Sequence, residues 1–385
     1  MSMHDTVLEQ ELRELFAEIP APPAPATWRR DPSWSDRRPR ARRPLVLALV
    51  ALVVIGGGVA VYVQARREQN VVTVSALPAA SDLTCSLPIA ALSDDHTTGF
   101  VVFQHGQATF RAASGGPTYV AALGRWADVL PQDVAPDGRS YVDETRTYGS
   151  HAQVIISVVD AAGSRTLLKA DPTLSVFGFA RQGILIDSFG QTPDDRTLHL
   201  ELLDPVTGQV RPFPFPPPTM GASADFRPED DAIWLVGYPT APGAAVVTRY
   251  DLATGVTTEW FDGRTDGGGS IEVVATDGRG HPIVQLSNHD LFHTNPAQRA
   301  GIGQRTLLLT APHQETVLNQ GRVGDPGVAN NLDPLSVNDG DRIWLAADDG
   351  TIWMYLPGSG LLEMAKVIRT STSGPPGVVV SGPCR

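Results

Sequence analysis

Cysteine is scarce, with two in 385 residues, Cys85 and Cys384. Neither lies in or directly after the long apolar run Leu45–Val63, so nothing invites a lipid anchor there. A Gly-x-Ser-x-Gly nucleophile elbow, a Walker phosphate loop and a Gly-x-Gly-x-x-Gly fingerprint are all missing, which removes three common signatures of catalysis and nucleotide binding. There is no helical His-Glu-x-x-His pair, and the aspartates lack EF-hand order. Basic residues are the minority after position 70, with 20 against 34 acidic side chains, which argues against a nucleic-acid partner for that part of the chain.

The long apolar run is the strongest positive feature. Leu45–Val63 supplies 19 apolar residues, enough for a helix to cross the hydrocarbon layer. Seven arginines from Arg29 to Arg43 precede it and only the Arg66 and Arg67 pair follows, so the expected topology is single-pass with a cytoplasmic N-terminus. A cleaved signal peptide normally has a shorter apolar core and no 44-residue leader before it. The expected location is a bacterial cell membrane, with the bilayer as one partner and the C-terminal domain outside the cytoplasm.

Residues 1–20 are expected to form a cytoplasmic amphipathic helix. Leu8, Leu12, Leu15, Phe16 and Ile19 recur at helical spacing, Thr6 and Glu9 fit a capping box, and Pro20 ends the element. So short a helix is marginal alone, and its apolar stripe suits a cytoplasmic helix partner, a second copy or the bilayer surface. Residues 21–44 read as a Pro/Arg-rich linker, 45–63 as the transmembrane helix, 64–80 as an extracytoplasmic stalk, and 81–385 as one large domain.

That domain reads as all-β. Short β-type runs at Phe100–Phe103, Ser140–Val142, Gly183–Ile186, Ala232–Val236, His281–Val284 and Arg342–Ala346 recur about 40 to 60 residues apart, a spacing of the length found for propeller blades. Turns such as Pro136-Asp-Gly138, Asp277-Gly-Arg-Gly280 and Asn338-Asp-Gly-Asp341 precede several of them. Asp231-Ala-Ile-Trp-Leu-Val236 matches Asp341-Arg-Ile-Trp-Leu-Ala346, as equivalent strands two blades apart would, and places Trp234 and Trp344 in the core. Six runs favour a six-bladed β-propeller, with a seventh blade possible in the long interval from His281 to Ile343. A Cys85 to Cys384 disulfide is expected to tie the ends of the domain together on the oxidising side of the membrane.

On these runs and turns, and on the membrane anchor before them, the chain resembles single-pass bacterial, actinobacterial-like membrane proteins with an extracytoplasmic TolB-like or WD40-like propeller. The resemblance implies an interaction platform or sensor, although some six-bladed relatives are hydrolases, lactonases or sugar dehydrogenases. Helix, span and outer domain together also look like membrane-anchored anti-sigma regulators, whose zinc-type His and Cys motif is absent from this cytoplasmic part.

The best metal candidates are His281, His289, Asp290 and His293, three histidines and a carboxylate within 13 residues. Asp325, Asp333, Asp339, Asp341, Asp348 and Asp349 are acidic enough for calcium, but tight turns account for them without an ion. The Pro-rich segment Arg211–Pro218 reads as an exposed rim loop. The expected function is therefore a non-enzymatic, cofactor-free binding or sensing platform for an extracytoplasmic protein, peptide or envelope glycan. The alternatives are a metal-dependent propeller hydrolase or lactonase, whose ligands would converge in the central channel, and a purely structural envelope protein.

Overall fold

The structure, a computed structural model, describes residues 72–92, 97–149, 152–189, 198–215, 223–237, 245–263, 270–287, 301–369 and 377–385. All belong to the second of two compact units, Gln64–Arg385. The expected cytoplasmic helix with Leu8, Leu12, Leu15, Phe16 and Ile19, the expected linker, and Leu45–Val63 lie outside the described residues. No helix among the described residues is long and apolar enough to cross a membrane.

The chain opens with β1 (Val72–Ala76). Sheet 1 then uses β2 (Cys85–Leu92), β3 (Thr97–Gln104) and β4 (Gln107–Ala113), followed by a small hairpin of β5 (Thr118–Val120) and β6 (Arg125–Ala127). Sheet 2 is β7 (Tyr141–Thr147), β8 (Gln153–Asp160) and β9 (Gly163–Ala170). Sheet 3 is β10 (Leu174–Ala180), β11 (Gly183–Phe189), β12 (Leu198–Leu203) and β13 (Val210–Pro212). Sheet 4 is β14 (Ser223–Arg227), β15 (Ala232–Gly237), β16 (Val246–Asp251) and β17 (Thr257–Asp262). Sheet 5 is β18 (Ser270–Thr276), β19 (Pro282–Ser287), β20 (Gly303–Ala311) and β21 (Gln314–Arg322). Sheet 6 is β22 (Val337–Asp339), β23 (Arg342–Ala346), β24 (Thr351–Leu356) and β25 (Gly360–Arg369), and the chain ends with β26 (Gly377–Val380).

Every pairing is antiparallel, and strands follow sequence order except at the two ends of the chain. There β26 pairs with β2, as the first strand of sheet 1, while β1 pairs with β25 along the far edge of sheet 6. Second strands are covered on both faces, so β15 and β19 are buried along their whole length. β21, the fourth strand of sheet 5, is an edge and is largely polar and exposed, as an unpaired edge must be to avoid further pairing.

Each sheet packs against the next through its own apolar layer. Val142, Ile156, Ile184 and Leu203 join sheets 2 and 3; Leu185, Leu202, Ile233 and Tyr250 join sheets 3 and 4; Trp234, Val247, Val284 and Leu307 join sheets 4 and 5. Ile283, Leu308, Leu345 and Trp353 join sheets 5 and 6, and Leu87, Phe103, Trp344 and Met354 return from sheet 6 to sheet 1. A sheet with two apolar faces needs two such neighbours, and radial repetition supplies them. This cycle of layers makes the domain a β-propeller.

The recurring runs of the sequence map onto this order with one correction. Four of them fall on second strands and Ser140–Val142 on β7, the first strand of three-stranded sheet 2, but Phe100–Phe103 lies on β3, the third strand of its sheet, whose second strand is β2. Trp234 and Trp344 are each fully buried on second strands two sheets apart, and each indole Nε1 donates to an aspartate of the preceding turn, Asp230 at 3.0 Å and Asp339 at 3.2 Å. Among the described residues, six sheets of three or more strands occur, and the interval after His281 adds no further one. The assigned stalk needs shortening: β1 lies within residues 64–80 yet forms a ladder with β25 from Val72↔Arg369 to Ala76↔Ala365.

Cys85 and Cys384 form a disulfide, with Cα atoms 5.5 Å apart and 299 residues between them in sequence. Around it the last residues continue the β2 ladder, with Arg385 N donating to Ser86 O at 3.1 Å and Ser86 N to Arg385 O at 2.6 Å.

Candidate functional site

The regular sheet order fails between sheets 1 and 2. The inner strand expected for sheet 2 is reduced to an isolated bridge, Val134↔Tyr141, because the residues before it are Pro131, whose fixed φ and missing N–H suit a turn better than a ladder, and a short 3-10 turn through Asp133. The β5–β6 hairpin fills the space instead. Tyr119 N donates to Ser381 O at 2.7 Å, and Tyr119 and Trp126 lie edge-on to Phe100 of β3, with ring centroids 5.2 and 5.5 Å away. On the other side Arg125 sits 5.3 Å over the Tyr141 ring of sheet 2.

Beside this hairpin lies a cavity of about 480 Å³. Its wall comes from the innermost segments of four sheets: Ser381 to Pro383 of sheet 1, Val134 to Gly138 before sheet 2, Asp225 to Glu229 of sheet 4, and Pro334 to Asn338 of sheet 6. It therefore lies on the axis of the ring. Tyr119, Val120, Pro131 and Leu335 give it an apolar side, and Asp225, Arg227 and Glu229 a charged one.

Arg227 organises the charged side. It is 5% exposed, and Nη2 makes an ion pair with Asp225 at 2.5 Å and donates to Val273 O of β18 at 2.7 Å. Nη1 donates to Pro334 O at 2.8 Å and Ser336 Oγ at 3.3 Å. One guanidinium thus ties the inner segments of sheets 4, 5 and 6 together, a use for which its planar set of donors is suited.

The carboxylates around it are less well compensated. Burial pushes Glu272 of β18 up to about 7, with Asp225, Asp333 and Asp348 adding repulsion and Arg227 opposing it. Burial likewise raises Asp225 and Asp333. Glu229 accepts a hydrogen bond from Thr276 Oγ1 at 2.7 Å, linking the turn of sheet 4 to sheet 5. Four polar atoms of wall residues, Asp225 Oδ2, Arg227 Nε, Asn338 Oδ1 and Ser381 Oγ, are shut off from solvent without a hydrogen-bond partner among the described residues, Asp225 Oδ2 being ion-paired with Arg227.

The metal candidates from sequence are not brought together here. His281 is absent from the cavity wall; its Nδ1 lies 3.0 Å from Asp277 Oδ2 and its backbone N donates to Asp277 Oδ1 at 2.9 Å, so the pair closes the turn that precedes β19. His289, Asp290 and His293 lie outside the described residues. No group of three or more His, Cys, Asp or Glu among the described residues is arranged to hold a metal ion.

The late aspartates act as turn acceptors. Asp325 accepts from Arg322 N, Asp333 from Leu335 N, and Asp349 from Thr351 N and Lys366 Nζ. Asp339 Oδ2 receives Trp344 Nε1 and also Cys384 N, at 3.3 Å, which ties the sheet 6 turn to the chain end. The described part of the Pro-rich segment is exposed at Arg211, Pro212 and Pro214, while Phe213 is buried and Phe213 and Phe215 pack edge-on to Tyr250, whose hydroxyl donates to Pro214 O. Arg227, Asp225 and Glu272 were not singled out by sequence reasoning, because they stand far apart along the chain and converge only when inner strands meet at the axis.

No protein-family model matches the chain, and no curated protein matches it. Solved structures similar to it include TolB from Acinetobacter baumannii, at 12% identity, TM-score 0.42, over 77% of this chain and 67% of that one. The β-propeller domain of the trilobed protease from Pyrococcus furiosus aligns at 11% identity and TM-score 0.42 over 77% of this chain and 94% of that one. An oligogalacturonate lyase from Vibrio parahaemolyticus aligns at 10% identity and TM-score 0.39 over 76% of this chain and 91% of that one. These similar structures include enzymes as well as TolB, and the propeller architecture of this chain rests on its own sheet order and packing layers.

Proposed function

We propose that this chain is a six-bladed propeller held at a bacterial cell membrane by Leu45–Val63, its N-terminus cytoplasmic, and that it works as a non-enzymatic binding platform. The ligand, an extracytoplasmic protein segment, peptide or envelope glycan, enters the axial cavity. The observation that supports this is the cavity itself: about 480 Å³, within the size range of ligand sites, with an apolar side facing a charged one. Its wall combines apolar side chains with two carboxylates and a guanidinium, the mixed lining of a ligand site. In this reading the Leu8, Leu12, Leu15, Phe16 and Ile19 face docks a cytoplasmic helix, and no cofactor takes part.

The test is a binding panel of envelope-type peptides and oligosaccharides on the full chain in detergent, repeated with Ala122→Trp. Ala122 is an exposed residue of the cavity wall, so the indole fills the cavity without disturbing the core. Saturable binding that Ala122→Trp abolishes supports the reading; binding that survives it places the ligand elsewhere and overturns it.

A further inference from the structure

We infer that the Cys85–Cys384 disulfide is a redox latch on the axial cavity: oxidised, it holds one wall of the cavity against the β5–β6 hairpin, and reduced, it lets that wall go while the ring of sheets stays closed. The inference takes the cavity of the binding reading as its object, and its test uses no ligand, so either can fail without the other. Ser381, Gly382, Pro383 and Arg385 line the cavity, and Cys384 stands among them. One side of this strap is pinned to β2, by the disulfide, by Ser381 N donating to Pro88 O at 2.9 Å, and by the Ser86 and Arg385 pair. The hairpin lies on the other side. Tyr119 N donates to Ser381 O at 2.7 Å, and Gly382 sits so close that a Cβ there would lie 2.9 Å from Tyr119 O. Thr118 to Ala122 then supply the adjoining wall, so a line of contacts runs from the disulfide through the strap to the hairpin side of the cavity.

Release stays local because the two ends of this line are anchored unequally. The hairpin rests on a layer of three buried residues, Val120, Ala127 and Val129. The ring closure rests on a layer of fourteen, on the β26–β2 ladder from Ile89↔Val380 to Leu92↔Gly377 and on the β1–β25 ladder, none of which includes the disulfide. Segments with few buried contacts open at a lower free energy than core strands, so the strap and hairpin loosen first. Both cysteines are only half-buried, which leaves the bond open to a dithiol reductant. One thiolate of the reductant attacks a sulfur of the bond, forming a mixed disulfide and freeing the other sulfur, which takes up a proton. The second thiol of the reductant then displaces the remaining protein sulfur, leaving two protein thiols and the reductant oxidised to its own disulfide.

The experiment is hydrogen exchange of the full chain in detergent at short labelling times, with and without dithiothreitol, well below the thermal midpoint of the reduced form. The reporter is the amide of Tyr119, whose hydrogen bond to Ser381 O is the link between strap and hairpin. We expect that amide and those of residues 381–385 to exchange at least about tenfold faster after reduction, while β15 and β19 stay protected. Cys85→Ala with Cys384→Ala should show the same pattern without reductant and no response to it. An unchanged Tyr119 amide after reduction overturns the inference without any variant being needed. Loss of protection in β15 and β19 together with Tyr119 overturns it too, because reduction then opens the whole ring rather than one wall. A dithiothreitol response that persists in the paired variant also overturns it, since the reductant then acts elsewhere than on this bond.

Discussion

The two seams of sheet 1 are built differently. Toward sheet 6, fourteen buried residues form one apolar layer, β26 and β1 exchange ends of the chain between the two sheets, and a disulfide fastens the closure. Toward sheet 2, three buried residues, Val120, Ala127 and Val129, form the layer, and a hairpin with an edge-on aromatic group stands in for direct sheet contact. The cavity borders the thin seam. A ring closed by chain ends needs its strongest fastening where covalent continuity is lacking, and here the less regular packing is confined to the opposite side of the same sheet, where the channel wall widens into a pocket.

Removing the fastening should have the largest effect. Cys384→Ser opens a 299-residue loop, and the chain-entropy estimate puts the loss of stability at up to about 5 kcal/mol. Thermal denaturation with and without reductant reads it, and an unchanged midpoint would mean that the strand exchange alone closes the ring. Next, Trp344→Ala in the thick layer should cost about 3–5 kcal/mol, since the indole is fully buried and leaves a cavity. Val120→Ala in the thin layer should cost about 1–2 kcal/mol, nearer the ordinary range for point changes. Denaturant titration of the two variants tests the contrast directly, and equal losses would remove it.

The smallest effect concerns the axis. Glu272 holds its proton up to about 7 in the folded domain, against an ordinary value of 4.5. The folded state then binds more protons than the unfolded one between these values, so stability should fall as pH rises from about 4.5 to about 7 and level off above. Glu272→Gln should flatten that slope while leaving both seams as they are. A slope that persists in the variant would assign it to the other carboxyls that burial raises, Asp230 and Asp133 to about 7, Asp187 to about 6, and Asp225 and Asp333.

Local patterns made much of the fold legible. The Ile-Trp-Leu strands read correctly because a second strand covered on both faces needs a continuous apolar run, and the Asp-Gly turns before them need residues that accept backbone hydrogen bonds and positive φ, as at Gly138 and Gly340. The Cys85 and Cys384 pairing was legible from their placement at the two ends of the domain. What escaped was non-local or irregular. β1 is five residues long and gains its identity from β25, nearly 300 residues later, so it read as part of a stalk. The cavity is made of three-residue strands, proline turns and inner-strand ends, and Arg227 reaches Pro334 across 107 positions of sequence. Clustered histidines drew attention because they are close in sequence, whereas the axial carboxylates are close only in space.

Hydrogen exchange of the full chain, with and without a peptide or oligosaccharide of the envelope panel that binds it, tests the axial cavity as a ligand site most directly. The account predicts slowed exchange in 118–122, 131–138, 223–229 and 334–338, with the seam around β26 and β2 already protected and unchanged. Protection confined to the outer edge strands, or no protection at a concentration that saturates binding, would contradict it.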